Sequence, residues 1–449
     1  MKKIFQYIML AVVTIVMASC TSDIEEPTAT TGKSNVQLVV GEFPAFGDTQ
    51  TRAIGTPDEG KTSWAEGDEL LLEMTSKTFG TKYAAFTYNG SSWELTSGEL
   101  SYKEDEVPTF PHVYYAPNYK WEAGKLVLKE GKAAGTDEYI EGKANITPNG
   151  EAITVKFAEA TRNYSRLRIA TLPNEQITVD TEYFTPAGSS DMEQNGNYTL
   201  TSDEKGNAYL YGTFDNNSIV TVKYRGASLT THTFSQATES AKSYALDATV
   251  ISANSAEEIK SAIEQKVADG KTTIRLNLAP NAGTNEFMAI REAIKGAAPN
   301  DLGTIELTII GVETIPEEAF YKMLQLKSVR MFDVKEIKKY AFKECQYLTV
   351  VEAPSLNKLC SGAFKKCDQL AKLTFGPINY ADERNWPIFE YITQNIDLIL
   401  SDYQKEMIET DSYLYTANND RDYAGSDEHN SKNFLGREFR SITCRYKVK

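Results

Sequence analysis

The chain has 449 residues, room for several domains at roughly 150 residues each, which excludes a single small module. With 41% hydrophobic, 24% charged and 11% aromatic residues it has the composition of a folded chain, not a disordered one. A formal net charge of −15 would repel phosphate backbones and excludes nucleic acid as an expected partner; three His and five Cys, scattered along the chain, argue against a metal centre or a disulfide framework.

Lys2 and Lys3 precede an apolar run, Ile4 to Ser19, broken only by Gln6, Tyr7 and Thr14 and ending in Met17-Ala18-Ser19-Cys20. The run is short for a membrane span and has the shape of a secretory leader. Its end resembles a bacterial lipobox, which implies a signal peptide over 1–19 and acylation of Cys20, palmitate included, as the mature N-terminus; ordinary secretory cleavage near Ser19 is the alternative. Several acyl chains would hold the protein on a bilayer without a transmembrane helix. Residues 20–35 are polar and without periodicity, as expected of a tether. The acidic Asp23, Glu25 and Glu26 resemble the surface-export signal of Bacteroidetes lipoproteins, which implies an outer-membrane anchor facing the cell surface.

From Val36 to Val250 short apolar runs alternate with Gly, Asn, Asp and Pro, a pattern that predicts antiparallel β-sandwiches. Strands are expected at 36–40, 70–74 and 152–157, with Asn89-Gly90 turning a type I′ hairpin between 85–88 and 93–95. A second series, at 167–169, 198–200, 208–211, 219–222 and 244–246, makes two sandwiches, 36–160 and 161–250, the better division.

Thr51-Arg52-Ala53, followed by Trp64-Ala65-Glu66-Gly67-Asp68 and an apolar strand from Glu69 to Met74, resembles the fimbrillin-like proteins of Bacteroidetes. The resemblance implies paired transthyretin-like β-sandwiches, serving as pilus subunits or surface lipoproteins. It also implies a candidate maturation cut between Arg52 and Ala53. Loss of the strand 36–40 would then open an edge for strand addition by another subunit. In physical terms Trp64 is a packing anchor and Gly67-Asp68 a turn.

Ala319-Phe320, Ala341-Phe342 and Ala363-Phe364 recur every 22 residues, and other columns recur in step, among them Met323, Cys345 and Cys367, and Leu326, Leu348 and Leu370. The period predicts leucine-rich repeats over 312–377. Ile-x-x-x-Ala-Phe-x-x-Cys-x-x-Leu, clearest at 337–348, resembles the BspA-like repeats of bacterial surface adhesins. Cys345 and Cys367 share their slot with Met323, so they read as buried apolar groups. The N-terminal cap of the solenoid is expected over 251–311, with helices at 255–268 and 286–294; 378–449 forms a C-terminal cap and tail, sealed by Trp386, Phe389, Ile392, Ile396, Leu398 and Leu400. The fold class is thus mainly β with an α/β C-terminal part: two antiparallel sandwiches, then a short solenoid with helical caps.

The residues flanking each buried repeat strand form the expected ligand face: Glu306, Thr308, Ile310, Ser328, Arg330, Phe332, Val350, Glu352, Lys372 and Thr374. No metalloprotease, nucleophile-elbow or phosphate-loop motif occurs, so neither an enzyme nor a cofactor is expected. These readings converge on a surface lipoprotein adhesin, as a stand-alone protein or as a fimbrial tip or accessory subunit, whose partners are host matrix or bacterial surface proteins and other pilus subunits. The alternative is a non-adhesive lipoprotein that captures a glycan or peptide for an uptake complex.

Overall fold

The computed structural model describes residues 37–44, 46, 61–103, 106–146, 152–157, 162–253, 255–381, 388–401, 433–435 and 437–446. Cys20, the tether, Arg52, Ala53 and Trp386 lie outside them.

The first series of alternating segments forms β1 (Gln37–Val40), β2 (Glu69–Ser76), β3 (Gly80–Tyr88), β4 (Trp93–Gly98), β5 (Thr109–Tyr115), β6 (Tyr119–Glu122), β7 (Lys125–Leu128), β8 (Ile140–Ile146) and β9 (Ala152–Lys156). Seven of them make one sheet, ordered β1-β9-β8-β5-β2-β3-β4, while β6 and β7 form a separate hairpin. The sheet curls over Leu70, Leu72, Met74, Phe86, Val113, Ile140 and Ile153, all nearly or fully buried, in a sandwich-like arrangement. Trp64 fastens the chain that follows β1: its indole nitrogen donates to the Gly41 carbonyl at 2.8 Å, and its ring meets Phe43, Tyr115 and Trp93 edge-on. Gly67, at φ +91°, makes the turn into β2, and the Asp68 carboxylate closes it by accepting the Ala65 amide at 2.7 Å. The expected two-residue Asn-Gly turn is instead a four-residue loop, 89–92, in which only Gly90 has a positive φ. The Asn89 side chain accepts the Ser91 and Ser92 amides at 2.9 and 2.8 Å, which favours the longer loop.

The second series gives β10 (Ser165–Ala170), β11 (Gln176–Pro186), β12 (Glu193–Thr201), β13 (Asn207–Tyr224), β14 (Ala227–Thr233) and β15 (Ser243–Asp247). The order is β12-β11-β13-β10-β15, with β14 on β13. The strands expected at 208–211 and 219–222 are the two ends of the single 18-residue β13. Its first part pairs with β10 and its last part with β14, so its length serves two partners in succession. Gly212 pairs with Ser165 on one side and Pro186 on the other, and a Cβ there would come within 2.3 Å of the Phe184 ring.

The remaining elements are β16 (Ile251–Ala253), α1 (Ala256–Ala268), β17 (Thr273–Leu278), α2 (Thr284–Ala297), β18 (Ile305–Ile310), β19 (Thr314–Ile315), β20 (Leu326–Met331), β21 (Glu336–Ile337), β22 (Val350–Ala353), β23 (Lys358–Leu359), β24 (Lys372–Phe375), β25 (Tyr380–Ala381), β26 (Asp397–Ser401), β27 (Asn433–Phe434), β28 (Arg437–Glu438) and β29 (Ser441–Tyr446). Each 22-residue repeat contributes a strand to a long parallel sheet, β16-β17-β18-β20-β22-β24-β26-β29, and a two-residue strand to a short one, β19-β21-β23-β25. Between the sheets the Ala-Phe column stacks: Phe320 on Phe342 at 5.1 Å, Phe342 on Phe364 at 5.4 Å, Phe364 on Phe389 at 5.8 Å. Met323, Cys345 and Cys367 are fully buried in one slot. α1, whose N-cap Ser255 accepts the Glu258 amide at 3.3 Å, and α2 both lie at the N-terminal end. At the other end the described residues are strands and the β27-β28 hairpin, with Phe389, Ile396, Leu398, Leu400, Phe434 and Phe439 buried among them, and residues 402–432 of the expected C-terminal cap lie outside the described residues.

Candidate ligand-binding face

In a parallel sheet successive side chains point to opposite faces, so the residues beside Leu307, Val329, Val351 and Leu373 must leave the core. The register lines them up in two rows. One runs Glu306, Ser328, Val350, Lys372, Asp397 and Ser441; the other runs Thr308, Arg330, Glu352, Thr374, Ile399 and Thr443. Eight of the ten residues expected on the ligand face therefore stand in two ordered rows, and Ile310 and Phe332 lie just beyond them in the chain.

The N-terminal part of these rows is covered. Ile310 is fully buried and belongs to the core of the second sandwich, against which Phe332 and Val250 also pack. Thr308 and Ser328 keep only 2% and 7% of their surface. Arg275 on β17 clamps the junction: its Nε donates to the Leu229 carbonyl at 2.6 Å, and a guanidinium nitrogen lies 3.9 Å from Asp247. Ile310 is thus corrected from a ligand-facing to a junction residue, Phe332 is half-covered by the same contact, and Thr308 and Ser328 are corrected as too buried to face a ligand. Two large apolar residues on adjacent rungs, Ile310 and Phe332, where the strands end, were the signal for that contact.

The open remainder spans Arg330, Val350, Glu352, Lys372 and Thr374 and continues onto Asp397, Ile399, Ser441 and Thr443. Those last four were not expected on the face, because β26 follows β24 by 25 residues and β29 comes 44 residues later, outside the 22-residue period. Charges on the face pair with the next rung: Lys327 with Glu306 at 2.8 Å, Arg330 with Glu352 at 3.2 Å. At the far edge Arg440 forks onto Asp397, which also accepts the Ser441 hydroxyl at 2.7 Å. The Arg440 hydrogen bonds, then that of Ser441, hold the Asp397 carboxyl at about 2. A level strip of paired charges, hydroxyls and isolated aliphatic groups suits non-covalent recognition.

Residues 304–416 match the BspA type leucine rich repeat region, in six copies. The match begins before, and ends beyond, the 312–377 marked by the Ala-Phe columns, and it includes β18 and β26. No curated protein matches the chain. Among solved structures, a "putative cell adhesion protein" from Bacteroides fragilis NCTC 9343 aligns over 48% of this chain and 92% of its own, at 11% identity and a TM-score of 0.27, too low to carry an argument about fold or function.

Proposed function

We propose that the chain is a surface-exposed lipoprotein adhesin that binds host matrix or bacterial surface proteins through the open face of strands β20, β22, β24, β26 and β29. The observation that carries this reading is a BspA type repeat region whose strand face stays accessible over its C-terminal rungs while its N-terminal rungs are fixed to the second sandwich. In this reading the repeats form a short solenoid capped by α1 and α2, the curled sheets are its fimbrillin-like stalk, and acylated Cys20 is its anchor in the outer membrane.

A place as fimbrial tip or accessory subunit is the narrower form of the same proposal. It is supported by β1, an edge strand that among the described residues pairs only with β9 and in parallel, so that its release after a cut at Arg52 would leave the β9 edge open for strand addition. Binding of the full chain to a panel of purified matrix proteins and glycans tests the adhesin reading. Protein binding that falls at least tenfold in Glu352→Lys with Lys372→Glu supports it, and binding to neutral glycans alone would sink it.

A further inference from the structure

On the repeats, the turn segments that follow the short strands stack as regularly as the strands do. The Lys322 amide donates to the Lys343 carbonyl at 2.9 Å, Glu344 to Lys365 at 2.8 Å and Lys366 to Glu390 at 2.9 Å. Lys322, Glu344 and Lys366 share a left-handed backbone, φ 54° to 62°, so one column of side chains leaves successive turns in the same direction. At a strand-like spacing Lys322 and Lys366, two rungs apart, stand about 10 Å from each other along the stack.

The lysines on this turn face are interleaved with tyrosines. Lys343 bridges the Tyr321 and Tyr340 rings at 5.0 and 4.8 Å, Lys322 lies over Tyr321 at 5.2 Å and Lys339 over Tyr340 at 4.8 Å. Further along, Lys365 and Lys366 flank Tyr391, which is 64% exposed. Positive charge is in excess. Lys322, Lys343 and Lys366 share the Glu344 carboxylate at 3.6 to 4.0 Å, while Lys365 pairs with Glu390 at 2.6 Å. Arg291 and Lys295 on α2 donate to the Glu318 and Tyr321 carbonyls, both uncharged acceptors, at 2.9 and 3.3 Å. Burial first, and then the neighbouring Arg291 and Lys322, push the Lys295 ammonium below its ordinary range. All this stands on a chain whose net charge is −15.

We propose that this turn face binds an anionic polysaccharide, the ammonium groups of Lys322, Lys343 and Lys366 meeting its carboxylate or sulfate groups and the open Tyr391 ring stacking on a sugar face. Aromatic rings held beside fixed cations favour a charged sugar over an acidic peptide, whose carboxylates need no ring. The site is separate from the strand face of the adhesin reading and takes a different class of ligand, so either can fail alone.

The test is binding of the full chain to heparin oligosaccharides, polygalacturonate, neutral dextran and polyglutamate over a range of salt. Retention by heparin, polygalacturonate or both, lost at high salt and absent on dextran, is expected; heparin alone would mark a sulfate ligand and polygalacturonate alone a carboxylate one. Lys322→Gln with Lys366→Gln should weaken that binding at least tenfold and lower the salt slope by about two units, one per lysine. Tyr391→Ala, which removes no charge, should weaken glycan binding severalfold, and Lys372→Gln on the strand face should leave it unchanged. Three results would overturn the proposal: no salt-dependent binding to either polyanionic glycan, polyglutamate binding as tight as glycan binding with Tyr391→Ala silent, or equal losses in Lys372→Gln.

Discussion

At the join between the two curled sheets Arg162 is held entirely out of water. Its Nε and Nη2 donate to Glu138 at 3.1 and 2.9 Å, the Tyr164 hydroxyl donates to the same carboxylate at 2.5 Å, and the guanidinium lies 4.0 Å from the centre of the Phe46 ring. Burial and then the Glu138 charge drive the Tyr164 hydroxyl well above its usual range, so it stays a donor. Removing one partner of such a pair strands the other, so Glu138→Ala should cost about 3–5 kcal/mol in denaturant unfolding; a loss under about 1 kcal/mol would contradict the pairing. None of this was legible in the sequence, because an acidic chain offers dozens of Arg-Glu combinations and only the fold chooses one. The repeat cysteines were legible, since Met323 occupies the same column. Burial pushes the Cys345 thiol up to about 12 and Cys367 well above its usual value, while both donate to carbonyls of the preceding rung at 3.0 Å. Alkylation of the native protein at pH 8 should therefore spare both until denaturant is added, and rapid native labelling would show that the slot is open.

Among the elements, the stacked turns of the repeat are the most sequence-transparent, because one contact pattern recurs with the same residue types each time. Phe342 sits between Phe320 and Phe364 with no exposed surface. Phe342→Ala should remove about 3–5 kcal/mol from the unfolding transition of the repeats. Rungs contact chiefly their neighbours, so the transition of the first sheet should stay in place, and a shift of both by the same amount would argue against separate cores. Strand β13 was opaque by contrast: Asp215-Asn216-Asn217-Ser218 has the composition of a turn, and Asn217 does adopt a φ of 69°, yet the ladder runs through it. Pairing with β11 on both sides of that kink outweighs the local preference. The Asn89 loop was misread in the opposite sense, because one side chain accepting two amides decided its length.

Over the whole molecule, the contact of the second sandwich with the long parallel sheet sets how much of the strand face is left open. Burial alone would raise the Asp247 carboxyl, but the Thr249 hydroxyl and amide, then Lys266 and Arg275, outweigh that and hold it below its ordinary 3.8. A carboxyl lowered in the folded state stabilises the junction above the ordinary value, and that stabilisation is lost as pH falls through the folded value. Acidification below about pH 4 should therefore increase protease susceptibility around 247–255, and Asp247→Asn should abolish this acid dependence while making the neutral-pH junction more susceptible. Unchanged acid dependence in Asp247→Asn would assign it to other carboxyls. By itself the sequence determined the β-rich body, the 22-residue period, its buried columns and the two rows that face away from the core, since each follows from side-chain alternation or from repetition along the chain. Only the tertiary structure decided that Ile310 lies under a neighbouring sandwich while Thr308 and Ser328 are buried, that β26 and β29 extend the open face, and that lysines and tyrosines from separate turns converge. Those outcomes depend on which distant surfaces bury each other, and that pairing leaves no local period in the sequence.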